Sequence, residues 1–495
     1  MKHIGTVTKY YPFVDSKIRD TLDALLDESQ NFHDFIILLS HELSNTSSPE
    51  ILAHIGAVLS NDVQNLEANN RIGDKYGSLL CVKPWITRLD SETKLNAINE
   101  LIDSSPPDII LFQAYLGKTA KLYLVPQAYD SLQAAKDILE TNLEMDCFIA
   151  DFFMHEIMLR RYEGDAETVY NLGVEALKKS KECDDILSEM YVLTQQTEFL
   201  MNIDIQRAFD YTQSAYGLAK EIGNPCLVTE AVMGFGMLSA IIGEYDLALE
   251  AYHESVEILQ SHNSPLCHIP IRISHIYSDL DDGRSAMEWA KESLDNEVTK
   301  QAQGGLEDHL CPHVAMARAL ILSGHSEEAS EYVYKSREIA LRSGQEMLLA
   351  DYYFVQGLYD LETGDTSGGI DTLVRGLEIC ERTSRGQRLK NRILRALTKA
   401  EIDSFDFENG NVCDPADSGP WMAKLEQESR KKGLHGIQMQ HALLKAEFQE
   451  KLGLTNVAME TLEGALISFD SAGVKTLQKK IHQKIRDLRE APLSP

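Results

Sequence analysis

The sequence contains no long apolar run, no apolar leader and no excess of positive charge. No window approaches the roughly 18 apolar residues that a membrane-spanning helix requires, so we expect no transmembrane segment. The opening stretch has no apolar core before Pro12, which is not typical of a secretory signal. The formal net charge of −30 opposes binding to nucleic acid or to an anionic membrane unless a local basic patch intervenes.

Closely spaced cysteines are also missing, since none of the eight cysteines forms a CxxC pair. In a large acidic chain this usage predicts reduced thiols and a cytoplasmic location. The nearest approach to a metal site is the stretch His309–His313, with the Cys267-His268 pair in the preceding repeat. A tetrahedral site needs three or four convergent ligands, and the sequence shows no convergent partner pair. We therefore predict no metal and no other cofactor, and we interpret Pro312 as a helix start.

Two short motifs match fragments of catalytic sites without the parts that would complete them. His41 lies in a stretch similar to the phospho-acceptor box of histidine kinases, but no glycine-rich nucleotide-binding box follows. Leu116–Thr119 match the end of a phosphate-binding P-loop, whereas Phe112 stands where that motif requires glycine. We interpret both as ordinary helix and predict that the protein is not an enzyme. The alternative is an unrecognised catalytic site within residues 1–105.

What the sequence does have is a unit that recurs about every forty residues. The turn inside each unit is assigned to Tyr123, Gly164, Ile203, Gly243, Asp281, Gly324, Gly364 and Gly453. Five residues after these anchors stand Ala128, Val169, Ala208, Ala248, Ala286, Ala329, Gly369 and Ala458. Twelve residues after them stand Ala135, Ala176, Ala215, Ser255, Ser293, Ser336, Gly376 and Ala465.

The residues at these two positions are almost all small, which lets two antiparallel helices approach closely. Seven residues before five of the anchors, the first helix has a small residue of its own: Gly236, Ser274, Ala317, Gly357 and Ala446. Where the anchor is glycine, a left-handed turn that ends the first helix costs little free energy. One close contact per hairpin, repeated along the chain, predicts a stack of helix pairs.

This pattern resembles the tetratricopeptide repeat and is best matched at Gly234–Leu259. The unit is longer than the usual one of about 34 residues. In this respect it is similar to the long-helix repeats of MalT-like regulators and cell-polarity scaffolds. The resemblance covers roughly residues 106–402, with one further unit at 434–471. It implies an all-α fold, a right-handed superhelical solenoid of antiparallel helix hairpins with helical caps.

The sequence pattern predicts four segments. Residues 1–105 are expected to form a helical N-terminal cap, and residues 106–402 a tetratricopeptide-like repeat array. Residues 403–420 are acidic, contain glycine and proline and lack periodicity, which is typical of an exposed loop. Residues 421–495 are expected to form C-terminal helices with one further repeat and a capping helix, because the last apolar face of a solenoid must be covered.

One basic stripe interrupts the acidic background. Arg388, Arg392, Arg395 and Lys399 recur at a spacing that places them on one face of one helix. By the phase of the repeat this is a first helix, and in tetratricopeptide stacks such helices line the concave groove. The stripe would suit an acidic peptide or a C-terminal carboxylate. The alternative is a solvated stripe neutralised by acidic neighbours, such as Glu401 or the loop at 403–420.

Three further residues are predicted to extend this surface, since they lie on the preceding first helix: Tyr352, Tyr353 and Gln356. The predicted function is a non-catalytic protein–protein interaction scaffold that presents a concave superhelical groove to a peptide or partner helix. The alternative is a regulatory sensor whose superhelix binds a signalling peptide or small molecule and gates another protein. Nucleic acid is not expected, and only the basic helices at 382–399 and 475–489 favour it. The sequence leaves the partner's identity and the oligomeric state open.

Overall fold

The computed structural model describes residues 5–30, 91–121, 127–160, 166–261, 269–295, 306–405 and 419–490, apart from gaps of one to three residues within these ranges, together with a few single positions. All regular secondary structure in these ranges is helical. The chain divides into two compact units, unit 1 (Met1–Gly234) and unit 2 (Phe235–Pro495). In the described ranges, no helix combines the length and apolar character needed to cross a lipid bilayer.

Unit 1 is helical in nearly all of its described residues. Its described helices are α1 (Gly5–Thr8), α2 (Ser16–Glu28), α3 (Ser91–Asp103), α4 (Asp108–Lys121), α5 (Gln127–Thr141), α6 (Ile149–Arg160), α7 (Ala166–Glu182), α8 (Ile186–Leu200) and α9 (Ile205–Ile222). Helix α10 (Pro225–Ile242) carries the boundary between the units. A 3-10 segment, Leu143–Phe148, precedes α6.

In unit 2 the first and second helices of successive hairpins alternate along the chain. Its described helices are α11 (Tyr245–Ser261), α12 (Ile269–Asp279), α13 (Gly283–Asp295), α14 (Leu306–Leu322), α15 (Ser326–Ser343), α16 (Glu346–Glu362), α17 (Thr366–Arg382), α18 (Gln387–Ser404), α19 (Pro420–Ser429), α20 (His435–Lys451), α21 (Thr455–Ser468) and α22 (Lys475–Glu490). Pro312 lies inside α14, so its interpretation as a helix start was wrong.

The turns inside the hairpins have the backbone geometry that the anchors predict. Gly243, Gly324, Gly364 and Gly453 have φ values of 84°, 74°, 95° and 76°. Asp281 takes the same left-handed conformation, with φ at 57°, as short polar side chains sometimes do. Consecutive helices joined by such turns pack against each other, as α12 with α13, α14 with α15 and α16 with α17. The prediction of an all-α, tetratricopeptide-like array of helix hairpins is therefore confirmed.

The small residues lie where the paired helices touch. Every residue at the first position is buried, and so is every residue at the second except the half-buried Ala465. In the α16–α17 hairpin, a Cβ added to Gly357 would lie 3.0 Å from the Gly369 carbonyl oxygen. A Cβ on Gly236 would lie 2.8 Å from the Tyr252 ring. Close approach of the helices is therefore the physical reason for the pattern.

Unit 1 contains a buried charge cluster that the sequence pattern did not reveal. The Lys9 ammonium lies 2.8 Å from the Asp151 carboxylate and 2.7 Å from that of Asp185. Thr6 and Ser188 donate hydroxyl hydrogen bonds to Asp185, which also caps the N-terminus of α8. Burial by itself raises the pKa of Asp185, but the charge and hydrogen bond of Lys9, together with the hydrogen bonds from Thr6 and Ser188, outweigh this and the net shift is downward. The cluster ties the N-terminal segment to helices α6 and α8.

A disulfide joins Cys147 to Cys183 in unit 1, with the two Cα atoms 5.7 Å apart. The expectation of uniformly reduced thiols was therefore wrong for this pair. Spacing along the chain could not reveal the bond, because the cysteines are 36 residues apart and only the packing of the Leu143–Phe148 segment beside the end of α7 brings them together.

Several predicted features lie outside the described residues. They are His41, the anchors Tyr123 and Gly164, the Cys267-His268 pair and most of the loop at 403–420. The division of the chain into four segments stays a prediction. The two compact units are defined by contacts within the fold, whereas the four segments were defined by sequence pattern, so one division does not test the other.

Candidate binding site in unit 2

First helices of unit 2 bring polar side chains together around Asp279, the last residue of α12. The Asp279 side chain is 1% exposed, and its Oδ1 accepts a 2.8 Å hydrogen bond from Nη2 of Arg318 on α14. Two arginines of α18 bind the same carboxylate. Arg392 does so with both Nε and Nη2, at 2.8 and 2.9 Å, and Arg388 with Nη2 at 3.0 Å. Such paired N–H donors match the two oxygens of a carboxylate.

The positive charge at this point exceeds the negative charge. Arg395 on α18 donates to the Asp279 backbone carbonyl at 3.2 Å and lies 3.6 Å from the Asp281 carboxylate, whose side chain is 58% exposed. Four guanidinium groups therefore face one buried and one largely solvated carboxylate. Excess buried charge of one sign is costly unless something compensates it.

The electrostatic consequences appear in the pKa shifts. Burial by itself raises the pKa of Asp279, but the neighbouring arginines, Arg392 first, hold the pKa well below its usual range. Burial lowers the pKa of Arg318 to about 10, and the positive charge of Arg392 contributes to that shift. Burial and Arg392 also lower the pKa of Arg388. Two arginines thus lie in surroundings that disfavour their own charge.

Beside Asp279 lies a narrow opening that we call the arginine cleft. The polar side chains that line it are Tyr245, Asp279, Arg388, Asn391, Arg392, Arg395 and Gln440, and the apolar residues Ala240, Ile241 and Ile437 complete the lining. Gln440 on α20 donates to the Asp279 backbone carbonyl at 3.0 Å, and its Oε1 accepts from the Tyr245 hydroxyl at 3.3 Å. The interior has room for about one water-sized group. Only the end of a larger ligand could enter it.

Two buried donors at this site are not satisfied. Asn391 is 3% exposed and lines the cleft, yet in the described part of the chain no acceptor pairs with its Nδ2. Its Oδ1 is used, since it accepts a 3.0 Å bond from Gln387. Among the same residues, Nη1 of the buried Arg318 also finds no acceptor. A buried donor without a partner costs roughly 1–3 kcal/mol, and such groups commonly serve a ligand or a water.

The structure separates the seven residues of the predicted site. Arg388, Arg392 and Arg395 meet at the arginine cleft, whereas Lys399 is farther along α18 and pairs with Glu447 and Asp403. The remaining three, Tyr352, Tyr353 and Gln356, lie on α16, as predicted for the preceding first helix. The Tyr352 hydroxyl donates to Gln356 Oε1 at 3.3 Å, and the two tyrosine rings lie 5.5 Å apart.

Sequence reasoning missed the residues that complete the cleft. Asp279 and Arg318 lie 39 residues apart, at corresponding levels of neighbouring first helices. The available signal was that each is charged on a face where its helix is otherwise apolar, as in "IPIRISHIYSD" and "CPHVAMARALIL". Asn391 gave a weaker signal, because asparagine is common on helix surfaces. None of these signals names the partner helix.

Two histidines of unit 2, the half-buried His275 and the buried His441, have lowered pKa values. Burial, followed by the positive charges of Arg392 and Arg388, lowers the pKa of His275 well below its usual range. Burial lowers the pKa of His441 on α20 to about 4, although Glu426 acts in the opposite direction. Both side chains are therefore neutral in the folded protein at neutral pH.

The His441 shift predicts a fall in stability on mild acidification. An unfolded histidine binds a proton near pH 6.5, whereas folded His441 stays neutral until about pH 4. Stability is therefore lost as the pH falls through 6.5, by about 2 kcal/mol between pH 7 and pH 5 from this group. Urea unfolding at pH 7 and pH 5 measures how much the free energy of unfolding falls, and this fall should be about 2 kcal/mol smaller in His441→Gln than in the wild type. A fall as large as that of the wild type would contradict the prediction. His482→Gln, at an exposed position, is the control.

The other chemical motifs remain within ordinary helix. Leu116–Thr119 lie inside α4, which continues to Lys121 without a phosphate-binding loop. The ring of His313 packs 6.1 Å from that of Tyr332. Among the described residues, no group of three or more His, Cys, Asp or Glu side chains is arranged to hold a metal ion.

The C-terminal basic helix has acidic neighbours. In α22, Lys480 pairs with Asp281 at 3.1 Å, and Lys484 pairs with Glu450 at 2.5 Å. Arg489 is 2.8 Å from Glu463. These pairs reduce the local positive field on which binding to nucleic acid would depend.

Comparison with known proteins identifies helical-repeat structures. No protein-family model matches the sequence, and a search of curated proteins found no match. The Rap protein complexed with competence and sporulation factor is 13% identical, with a TM-score of 0.45, over 69% of this chain and 98% of that chain. NprR in complex with its cognate peptide NprX is 14% identical, with a TM-score of 0.48, over 68% of this chain and 98% of that chain.

A third similar structure is a STAND signal-transduction ATPase with a tetratricopeptide repeat sensor from Pyrococcus horikoshii. It is 12% identical, with a TM-score of 0.39, and the match covers 93% of this chain and 78% of that chain. The class of this protein rests on its own helix hairpins, their left-handed turns and their small contact residues. It is a tetratricopeptide-like helical-repeat protein.

Proposed function

We propose that this chain is a non-catalytic protein–protein interaction scaffold that binds a peptide or partner segment at the first helices of unit 2. The observation that carries the proposal is the convergence of α12, α18 and α20 on one cleft with surplus positive charge and an unsatisfied donor, Asn391 Nδ2. Stacked hairpins form extended binding surfaces because each hairpin contributes its first helix to a continuous face. Lys399, Tyr352, Tyr353 and Gln356 are proposed as the adjoining surface.

The sensor alternative has an observation of its own in its favour. The C-terminal helices close back on the earlier turns of unit 2, where Thr476 at the start of α22 donates from its backbone N–H to Asp246 at 2.9 Å. Gly436 at the start of α20 approaches Gly243 so closely that a Cβ on either would overlap the other's backbone. A ligand that competes for the arginines around Asp279 would act on this closure. Ligand binding would then change the radius of gyration in small-angle scattering, which a rigid scaffold would not show.

Affinity selection from a synthetic random hexapeptide library tests the proposed function. The full chain is immobilised, and retained peptides are identified by mass spectrometry. We expect a consensus to be enriched over an unrelated helical-repeat protein. Arg395→Gln should weaken binding of the enriched peptides by about tenfold or more, as the loss of a charged hydrogen bond does.

The matched control is Arg284→Gln, which removes the same charge from an exposed position on α13. Its peptides and affinities should equal those of the wild type. Absence of any enrichment, or equal losses in both variants, would contradict the proposed function.

The predicted cytoplasmic location stays a proposal, and the Cys147–Cys183 disulfide is the observation that opposes it.

A further inference from the structure

The arginine cleft has more donors than its own acceptors can satisfy. In the described ranges, the Asn391 Nδ2 donor that lines the cleft has no acceptor, and the neighbouring Asp279 carboxylate is already shared by several guanidinium groups. A ligand that supplied oxygen acceptors and one negative charge would satisfy a buried donor and reduce the charge imbalance together. A neutral ligand could do only the first.

The size of the cleft restricts the anion. The cleft has room for about one water-sized group. One oxygen of a planar carboxylate therefore fits it more readily than a tetrahedral phosphate does. The arginines already show the required geometry, because Arg392 binds Asp279 through Nε and Nη2 at 2.8 and 2.9 Å. Guanidinium groups match carboxylates in this way.

We infer that the arginine cleft is a carboxylate-binding site that receives one carboxylate of a peptide ligand, through Arg388, Arg395 and the free amide N–H of Asn391. The inference rests on the proposed peptide-binding function and names the group that the cleft recognises. The carboxylate belongs either to the peptide's C-terminus or to an acidic side chain. Asp279 holds the guanidinium groups in place from the opposite side.

A substitution at Asn391 can test carboxylate binding without destabilising the fold. Its Oδ1 partner, Gln387 Nε2, also lies 3.3 Å from Glu428 Oε2, so Asn391→Leu leaves that donor with an acceptor. The substitution removes the unsatisfied Nδ2 donor. We expect the variant to be at least as stable as the wild type and to bind carboxylate about tenfold more weakly. Asn456→Leu, at an exposed position of α21, is the matched control.

The first measurement is thermal unfolding of the full chain in sodium acetate, sodium chloride and inorganic phosphate at one ionic strength. Acetate should raise the melting temperature of the wild type and of Asn456→Leu, but not of Asn391→Leu at the same concentration. At ten times its Kd, acetate should raise the folding equilibrium constant about elevenfold. Stabilisation by phosphate but not by acetate would overturn the inference.

The second measurement repeats the hexapeptide selection with three libraries: free C-termini without Asp or Glu, amidated C-termini with Asp and Glu, and amidated C-termini without either. Ligands from the first or second library alone would support the inference and identify the source of the carboxylate. Equal enrichment from the third would overturn the inference and leave the proposed function intact. Acetate stabilisation without peptide ligands would assign the carboxylate to a small molecule and overturn the peptide function. No response to acetate or peptides would overturn both.

Discussion

Replacing Asp279 by asparagine should lower the free energy of unfolding by about 3–5 kcal/mol, the usual cost of removing one partner from a buried ion pair. The substitution keeps the shape of the side chain but removes the only fully buried negative charge that faces Arg318, Arg388 and Arg392 in the described part of unit 2. The amide would also present a donor to guanidinium groups that can only donate. Urea unfolding of the full chain, followed by circular dichroism at pH 7, measures the change.

Asp281→Asn is the matched control, because the residue also lies beside Arg395 but its side chain is 58% exposed. An exposed pair contributes about 0–1 kcal/mol, so the control should unfold close to the wild type. The depressed pKa of Asp279 sets the pH window. Its contribution is fully present above the unfolded pKa near 3.8 and is lost as the pH falls toward the lower folded value. If both variants lost less than about 1 kcal/mol, the cluster would not hold unit 2 together.

Replacing Lys9 by methionine should destabilise unit 1 by a similar amount, about 3–5 kcal/mol. The Lys9 side chain is 4% exposed, and methionine fills much of its volume while leaving Asp151 and Asp185 without their cation. Burial by itself lowers the pKa of Lys9, but the two carboxylates more than offset this and the net shift is upward. The ammonium is therefore charged throughout the neutral range. Urea unfolding and the rate of proteolysis within the N-terminal segment measure the effect.

Lys17→Met provides the comparison, since Lys17 is exposed on α2 of the same segment. It should leave both the unfolding midpoint and the proteolysis rate nearly unchanged. A loss in the Lys9 variant no greater than in the Lys17 variant would mean that the buried pair contributes little to docking of the N-terminal segment.

The hairpin architecture was predictable from the sequence because its determinant is local and periodic. A small residue at Gly357 and another at Gly369 are close along the chain, and the anchor Gly364 between them marks the turn that folds one onto the other. The same relation recurs in successive repeats along the chain, so the repetition identified hairpins that could not have been recognised one at a time. Even Ile203, which is a poor turn former by type, was assigned by spacing alone to the turn that the structure shows between α8 and α9.

The candidate site was predictable only in part. The stripe of Arg388, Arg392 and Arg395 was visible because helical periodicity places these residues on one face. The alternative interpretation placed acidic neighbours at Glu401 or in the loop at 403–420, whereas the carboxylate that binds Arg388 and Arg392 belongs to Asp279, more than 100 residues earlier in the chain. Glu401 instead accepts from the backbone N–H of Met422 at 3.2 Å.

The sequence by itself determined which residues form helices, where the helices turn and which faces pack within a hairpin. These are consequences of backbone conformation and side-chain size over fewer than forty residues. Only the tertiary structure decided which charges meet, as with Lys9 and Asp185, which thiols join, and which donors remain unsatisfied beside Asp279. The physical reason is that small shifts in helix packing accumulate along a stack, whereas a hydrogen bond depends on distances of a few tenths of an ångström.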